Sequence, residues 1–208
     1  MPRPRLSRPA RKPPSRYHHG DLAHAMLQEA VRTIQKQGIA ALTLRGVGER
    51  LGVSRTALYR HFADKQGLLA AVAAEGFRML RAALVEAWDA RGRGREGFEA
   101  MGAAYVRFAV AHTGHYRVMF GGVVPPGNED CEVSVAGGDA FQALVDAIVE
   151  QQQRGLIVSD DPLQLARYIW SVVHGISMLA LDGLLPTPAE AEALVRYANE
   201  RLRTGIAQ

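Results

Sequence analysis

The chain has 208 residues, of which 48% are hydrophobic, and it carries a formal net charge of +4. This composition can fill one medium-sized domain or two small ones, no apolar run reaches the roughly 18 residues that span a bilayer, and the first residues lack the apolar stretch of a secretory signal. Disordered, fibrous and membrane-spanning proteins are therefore excluded, and we expect the protein to be cytoplasmic.

The charge is divided unevenly along the chain. Residues 1–74 carry 13 Lys/Arg and 4 Asp/Glu, whereas residues 75–208 carry 12 and 17, so a net charge of +9 is followed by one of −5. A basic first third joined to an acidic remainder is typical of a polyanion-binding module attached to a second domain. A solvated charged face would give the same balance.

Residues 1–19 are rich in proline and in Arg or Lys and contain no acidic residue, so we expect a basic flexible arm that is unfolded when free. Arg11, Lys12 or Arg16 could lie along a DNA minor groove, or the arm could be a solvated tail. The histidines around the end of the arm lack the spacing of metal ligands, and we predict no metal site.

The next segment contains apolar residues at helical spacing, which predicts helices over 21–37, 43–51, 54–62 and 64–88. Thr43, Ser54 and Asp64 are suitable N-caps for the last three of these helices, and Gly52 separates the second helix from the third. Three short helices closely joined to one long amphipathic helix are therefore expected in this part of the chain.

After a flexible break at 91–95, helical patterns resume over 96–111, 114–120, 137–154, 162–183 and 187–204. Residues 121–135 are interpreted as a surface loop, in which Cys131 is either a packing residue or a redox-sensing thiol. No alternation with a period of two persists, so the predicted fold class is all-α. We expect a helix-turn-helix DNA-binding domain over 20–66 and a helical effector-binding and dimerisation domain over 67–208.

The most informative segment runs from Thr43 to Phe62, because two short helices joined by a glycine-containing turn form a helix-turn-helix that projects its second helix. From the start of that helix, Arg55 can pair with a guanine and Thr56 can contact a thymine methyl in the major groove. Backbone phosphate contacts are expected from the surrounding side chains Thr43, Ser54, Tyr59, His61 and Lys65. For Tyr59 and His61 the alternative is a polar cap over the small core.

Three segments, Tyr17–Leu22, Leu42–Arg45 and Leu51–Leu69, resemble the N-terminal domain of TetR-family regulators. The resemblance implies a three-helix DNA-binding domain with the following contacts: phosphates from Thr43, Tyr59, His61 and Lys65, and bases from Ser54, Arg55 and Thr56. Arg45 and Arg60 complete the predicted DNA-binding set. Gly46 and Gly48 depart from the family pattern, and each costs about 0.5–1 kcal/mol relative to Ala. We therefore expect the second helix to be weak until DNA binds.

Ile169–Leu179 and His115–Phe120 resemble a C-terminal domain that contains a Trp-His-Gly sequence in one branch of the TetR family. In the family this domain houses an inducer pocket and the dimer interface, and ligand binding shifts the long connecting helix. The resemblance and the residue types predict a pocket for a small amphipathic or apolar effector, drawn from Met101, Tyr105, Phe108, Tyr116, Met119, Phe120, Phe141, Trp170, His174 and Met178. Each of these is alternatively plain core. Gly175 is expected to permit close helix packing.

The last two helices, about 162–183 and 187–204, are strongly apolar and are predicted to form a four-helix homodimer interface with two-fold symmetry. Such a dimer places two recognition helices on a palindromic DNA operator. The residues of the last helix assigned to this interface include Leu194, Val195, Ala198 and Leu202.

The predicted function is a dimeric transcriptional regulator, most simply a repressor that a small-molecule effector releases from its operator. One alternative is a helical enzyme whose basic end binds a phosphorylated substrate. The sequence offers neither a glycine-rich phosphate loop nor a paired-carboxylate, metal or nucleophile motif, so we predict no enzymatic activity and no cofactor. The other alternative is an architectural DNA-binding protein without a ligand.

Overall fold

A computed structural model describes residues 19–124 and 131–206, and within these ranges it contains helices and no strand. The α-helices are α1 (His19–Gln37), α2 (Leu44–Leu51), α3 (Arg55–Tyr59), α4 (Lys65–Ala90), α5 (Arg95–Ala111), α6 (Thr113–Phe120), α7 (Glu132–Gln153), α8 (Pro162–Leu181) and α9 (Pro188–Ile206). The all-α prediction is confirmed. The predicted arm lies outside the described residues, except for His19, which begins α1. None of the helices searched in these ranges is long and apolar enough to cross a membrane.

The predicted N-caps place the starts of three helices. The Thr43 Oγ1 atom accepts a hydrogen bond from the Gly46 amide at 3.0 Å, and the Ser54 Oγ atom accepts one from the Ala57 amide at 3.3 Å. Asp64 begins α4 in the same way. Gly52, with a φ of 66°, ends α2 in the left-handed conformation that favours glycine. Short-range hydrogen bonds therefore set the helix-turn-helix.

The N-terminal core is formed by apolar side chains of α1 to α3 and the first turns of α4. They include Met26, Ile34, Leu42, Val47, Leu58, Leu68 and Val72. Val118 of α6 belongs to the same core and is 1% exposed. A helix from the second half of the chain is thus part of the core beneath the helix-turn-helix.

Gly48 shows why the second helix tolerates a residue of low helix propensity. A methyl group at this position would lie 2.3 Å from the Leu58 Cδ1 atom, so only glycine lets α2 approach α3 this closely. The expectation of a weak helix considered propensity alone and overlooked this contact. The weakness of α2 in the absence of DNA stays a prediction.

In the second half of the chain, α4 and α8 each pack against both α5 and α7, so these four helices form a closed ring. The last helix, α9, packs against α5 and α8, and α6 lies against α1 and α4. The helix α7 begins at Glu132, earlier than the predicted residue 137, and the predicted loop is correspondingly shorter. The loop was predicted from Pro125, Pro126, Gly127 and Asn128, all of which precede the first turn of α7.

Candidate nucleic-acid interface and ligand cavity

Residues of the turn and of α3 form one exposed surface. Arg55 and Thr56, the two predicted base-contacting residues, are exposed in the first turn of α3. The Arg55 guanidinium carbon lies 5.7 Å from the centroid of the Tyr59 ring, a cation–π arrangement that restricts where the guanidinium can point. Thr43 and Ser54 use their hydroxyl oxygens as cap acceptors, which leaves their hydroxyl protons free for a phosphate.

Two cations of the predicted DNA-binding set already have partners within the chain. The Arg45 Nε atom donates to Glu49 Oε1 at 2.7 Å, and this hydrogen bond raises the pKa of Arg45. The half-buried Lys65 donates from Nζ to the carbonyl oxygen of Ile39 at 2.9 Å. Exposed ion pairs contribute little to stability, so a phosphate can compete for Arg45. Lys65 keeps two further N–H donors, and it also fixes the segment before α2 to the start of α4.

The remaining predicted DNA-binding residues lie at the end of α3. Arg60 is exposed, His61 is half-buried, and Tyr59 is 47% exposed. The exposure of Tyr59 favours a role at the surface over that of a polar cap on the core.

A polar network between α1 and α2 lies behind this surface. It was not predicted from the sequence. The Arg50 Nε atom of α2 donates to Glu29 Oε1 of α1 at 2.5 Å, and Arg50 Nη2 donates to Thr33 Oγ1 at 2.7 Å. Glu29 is only 8% exposed, and its one other cationic contact is with Arg32 Nη1 at 3.4 Å, so removing Arg50 would leave a buried carboxylate with only this longer ion pair among the described residues. Glu29 and Thr33 lie four residues apart on one face of α1, and this polar pair could have indicated the network from the sequence.

The ring of α4, α5, α7 and α8 encloses a cavity of about 300 Å³. Its apolar lining includes Phe77, Leu80, Leu84, Phe98, Met101, Tyr105, Phe120, Phe141, Leu144, Ile169, Trp170, Val173 and Leu202. Its polar lining residues are Arg95, Glu99, Gln151 and Asn199. An apolar cavity with a few polar groups is typical of a site for a small amphipathic molecule.

Four polar side chains beside the cavity hydrogen-bond to one another. The Trp170 Nε1 atom donates to the Tyr105 hydroxyl at 2.9 Å, and the Tyr116 hydroxyl lies 3.1 Å from that of Tyr105 and 2.7 Å from His174 Nδ1. Burial raises the pKa of both tyrosines and lowers that of His174, which favours the neutral form of all three side chains. The aromatic wall thus presents rings, rather than free polar atoms, to the cavity.

Two family models match the chain. The model described as bacterial regulatory proteins of the tetR family matches residues 26–72, and the model described as the tetracyclin repressor-like, C-terminal domain matches residues 98–202, just over half of the chain. The chain belongs to the TetR family. It is therefore a DNA-binding transcriptional regulator, and regulators of this family are generally non-enzymatic.

Solved structures agree with the TetR fold. A protein of unknown function from Rhodococcus sp. RHA1 is 35% identical, with a TM-score of 0.83 over 93% of this chain and 100% of that one. The TetR family transcriptional regulator PfmR from Thermus thermophilus is 20% identical, with a TM-score of 0.66 over 84% of this chain and 94% of its own. A tetR-family protein from Rhodococcus RHA1 is 19% identical, with a TM-score of 0.67 over 89% and 96% of the two chains. A comparison with curated proteins gives no match.

In this TetR-family chain the cavity is lined by half of the predicted pocket residues, namely Met101, Tyr105, Phe120, Phe141 and Trp170. The others, Phe108, Tyr116, Met119, His174 and Met178, lie outside its lining. Phe108 packs against His112, and the Met119 side chain fills the space beside Gly76. His174 bonds to Tyr105 and Tyr116, and Met178 is 39% exposed.

The cavity-lining residues of α4 were not predicted, because this helix was expected only to connect the DNA-binding domain to the second domain. Phe77, Leu80 and Leu84 recur at spacings of three and four residues, which was the available signal. The Trp-His-Gly branch assignment stays a prediction.

The outer face of α8 and α9 is rich in exposed apolar side chains. These are Leu163, Tyr168, Met178, Leu179 and Tyr197. Gly175 is exposed on the same face, and a methyl group there would meet no atom of the described residues within 4 Å, so nothing in residues 19–124 and 131–206 packs closely against it. Val195 is 2% exposed in the chain's own core, and the last helix therefore presents Tyr197 outward instead.

Proposed function

We propose that the protein is a homodimeric repressor that binds a palindromic operator and is released by a small apolar or amphipathic effector in the cavity. The observation that carries this proposal is the position of α6. Phe120 of α6 lines the cavity, whereas Val118, two residues earlier, is buried in the core beneath the helix-turn-helix. A ligand that displaces Phe120 therefore acts on a helix that the DNA-binding domain needs for its packing.

The helix α4 is a second connection between the cavity and the DNA-binding domain. Its Asp64 cap and Leu68 belong to the DNA-binding half, whereas Leu80 and Leu84 line the cavity on the same continuous helix. A shift of α4 at the cavity would move its first turn, where Lys65 bonds to Ile39. This arrangement favours a ligand-responsive regulator over an architectural DNA-binding protein.

The DNA contacts are assigned by position. Arg55 and Thr56 in the first turn of α3 read bases, with Ser54 beside them. The phosphate contacts are assigned to Thr43, Arg45, Tyr59, Arg60, His61 and Lys65. Exposure of nearly all of these side chains on one surface supports the assignment.

The dimer interface is assigned to the outer face of α8 and α9. A row of exposed apolar side chains on one face of a monomer marks an interaction surface, and two-fold symmetry pairs α8 and α9 with their copies. The open space at Gly175 supports a close approach of the partner's helix there.

The cavity favours an effector with an apolar body. A polar group placed against the aromatic wall would lose its hydration without gaining a partner, since Trp170 donates to Tyr105, and Tyr105 and Tyr116 bond to each other and to His174. A polar group of the effector is accommodated instead beside Arg95, Glu99 or Asn199.

Selection of binding duplexes from random DNA, followed by titration of the selected duplex at several salt concentrations, tests the DNA-binding part of the proposal. We expect a palindromic consensus, two protomers per duplex, and affinity that falls steeply as salt rises because phosphate contacts release counterions. Failure to enrich any sequence, together with affinity independent of salt, would refute the repressor assignment.

A further inference from the structure

Four glycines within helices have a clear packing reason. At Gly48, Gly76, Gly97 and Gly114, an added methyl group would lie between 2.3 and 2.9 Å from a neighbouring atom, closer than real Cβ contacts. Each of these positions brings one helix against another segment of the chain. A larger residue there would require the neighbouring side chain or backbone to shift.

Gly102 of α5 and Gly137 of α7 have no such reason. A methyl group at Gly102 would lie 3.4 Å from the Asn199 Oδ1 atom and 3.6 Å from the Val173 Cγ1 atom. At Gly137 the nearest atoms would be those of the Phe77 ring, at 3.6 Å. These are ordinary van der Waals distances, so alanine fits at both positions, although glycine in a helix interior is less favourable than alanine.

Both glycines line the cavity, and they do so from different sides. The helices α5 and α7 occupy opposite positions in the ring, since each packs against α4 and α8. A methyl group on either helix would therefore narrow the cavity. The space that the two glycines leave open is space for a ligand.

We propose that Gly102 and Gly137 determine ligand specificity by keeping the cavity wide enough for a ring system instead of a single alkyl chain. This inference rests on the proposed effector site. A linear chain would leave voids against the widened walls and forfeit dispersion contacts, whereas a ring fills them. Phe77, Phe120 and Trp170 offer ring faces and edges against which such a ligand packs.

The test compares two fluorescent probes of different breadth, N-phenyl-1-naphthylamine with its ring systems and the linear polyene cis-parinaric acid. Binding of each is measured to the wild-type protein and to the variants Gly102→Ala and Gly137→Ala. We expect each variant to bind the naphthylamine about tenfold or more weakly, because an added methyl group overpacks a filled site. Affinity for the linear polyene should change less than about threefold, since the narrower cavity still admits a chain.

Gly138→Ala is the matched control, because Gly138 is the next residue of α7 and is exposed, and an added methyl group there would have no atom of the described part of the chain within 4 Å. All three variants should keep the circular dichroism of the wild type and unfold about 2–4 °C higher, as alanine favours the helix. Gly138→Ala should leave binding of both probes unchanged.

Three outcomes would overturn the inference. Unchanged naphthylamine affinity in both cavity variants would show that the glycines do not limit the ligand. An equal loss of affinity for both probes would show that the two glycines control the total volume of the cavity and not its breadth. Melting temperatures below that of the wild type would show that these glycines serve packing after all. Binding of neither probe to the wild type would instead contradict the proposed effector site itself.

Discussion

Arg55 and Lys65 illustrate at the residue scale how two cations of one surface take different roles. Arg55 is exposed at the start of α3, where no carboxylate of the described residues pairs with it, whereas Lys65 bonds to the Ile39 carbonyl. Replacement of Arg55 by Ala should reduce discrimination at one base pair by about 1–3 kcal/mol. Lys65→Ala should weaken binding to all sequences alike, and it should reduce the slope of log affinity against log salt concentration by about 1 in magnitude.

Lys65→Ala should also destabilise the free protein by about 0.5–1.5 kcal/mol, because it removes an internal hydrogen bond. Binding isotherms on the selected duplex and its single-base variants, with urea unfolding of each protein, measure both effects. Equal losses of affinity without a change in sequence preference for either variant would contradict this division of roles.

Protonation of His174, beside the cavity, makes the free energy of unfolding dependent on pH. Burial lowers its pKa below the ordinary value of 6.5, so the folded protein binds fewer protons than the unfolded chain as the pH falls below that value. This contribution to the free energy of unfolding is therefore complete above pH 6.5 and declines below it. Burial also lowers the pKa of His112, which acts in the same direction.

Chemical unfolding between about pH 5 and 8 is the appropriate measurement, with His174→Gln as the comparison because glutamine keeps an acceptor but does not titrate. We expect the variant to lose less stability on acidification than the wild type. Parallel pH profiles for the two proteins would argue against a protonation-sensitive wall.

The contact of α2 with α3 through Gly48 yields a prediction at the scale of elements. Alanine is the better helix former, yet Gly48→Ala should destabilise the protein by about 1–3 kcal/mol because its methyl group would collide with Leu58. Gly67→Ala is the matched control in the first turn of α4, where the nearest atom lies at 3.7 Å, and it should stabilise by about 0.5–1 kcal/mol. Thermal unfolding of both variants measures the difference, and a stabilising Gly48→Ala would contradict the packing role.

The elements also show what a single sequence can predict. Thr43, Ser54 and Asp64 were identifiable as caps because each bonds to an amide three residues away. The role of Gly48 was not, because Leu58 approaches it only after α2 and α3 have packed. For the same reason Phe77 looked like part of a connector, and residue type alone could not separate Phe141 and Trp170, which line the cavity, from Phe108 and Tyr116, which do not.

The proposed dimer yields a prediction at the scale of the whole molecule. Leu179 is 40% exposed on the face of α8 and α9 assigned to the interface, and Leu179→Asp should convert the dimer to a monomer because it buries an unpaired charge. Val135→Asp is the control, since Val135 is 50% exposed on α7, a helix that is not assigned to the interface. Sedimentation velocity distinguishes the two states, and a dimeric Leu179→Asp protein would exclude this interface.

The central claim is that a molecule bound in the cavity changes the affinity of the helix-turn-helix for DNA. Compounds that occupy the cavity are first identified: they raise the melting temperature of the wild type but not that of Ala140→Phe, a variant in which the added side chain fills the cavity. The affinity of the wild-type protein for the selected duplex is then measured in the presence of each compound. We expect such compounds to include ones that weaken DNA binding by about fivefold or more, and we expect DNA to weaken their binding by the same factor. DNA affinity that is unchanged by every compound occupying the cavity would show that the cavity does not control DNA binding.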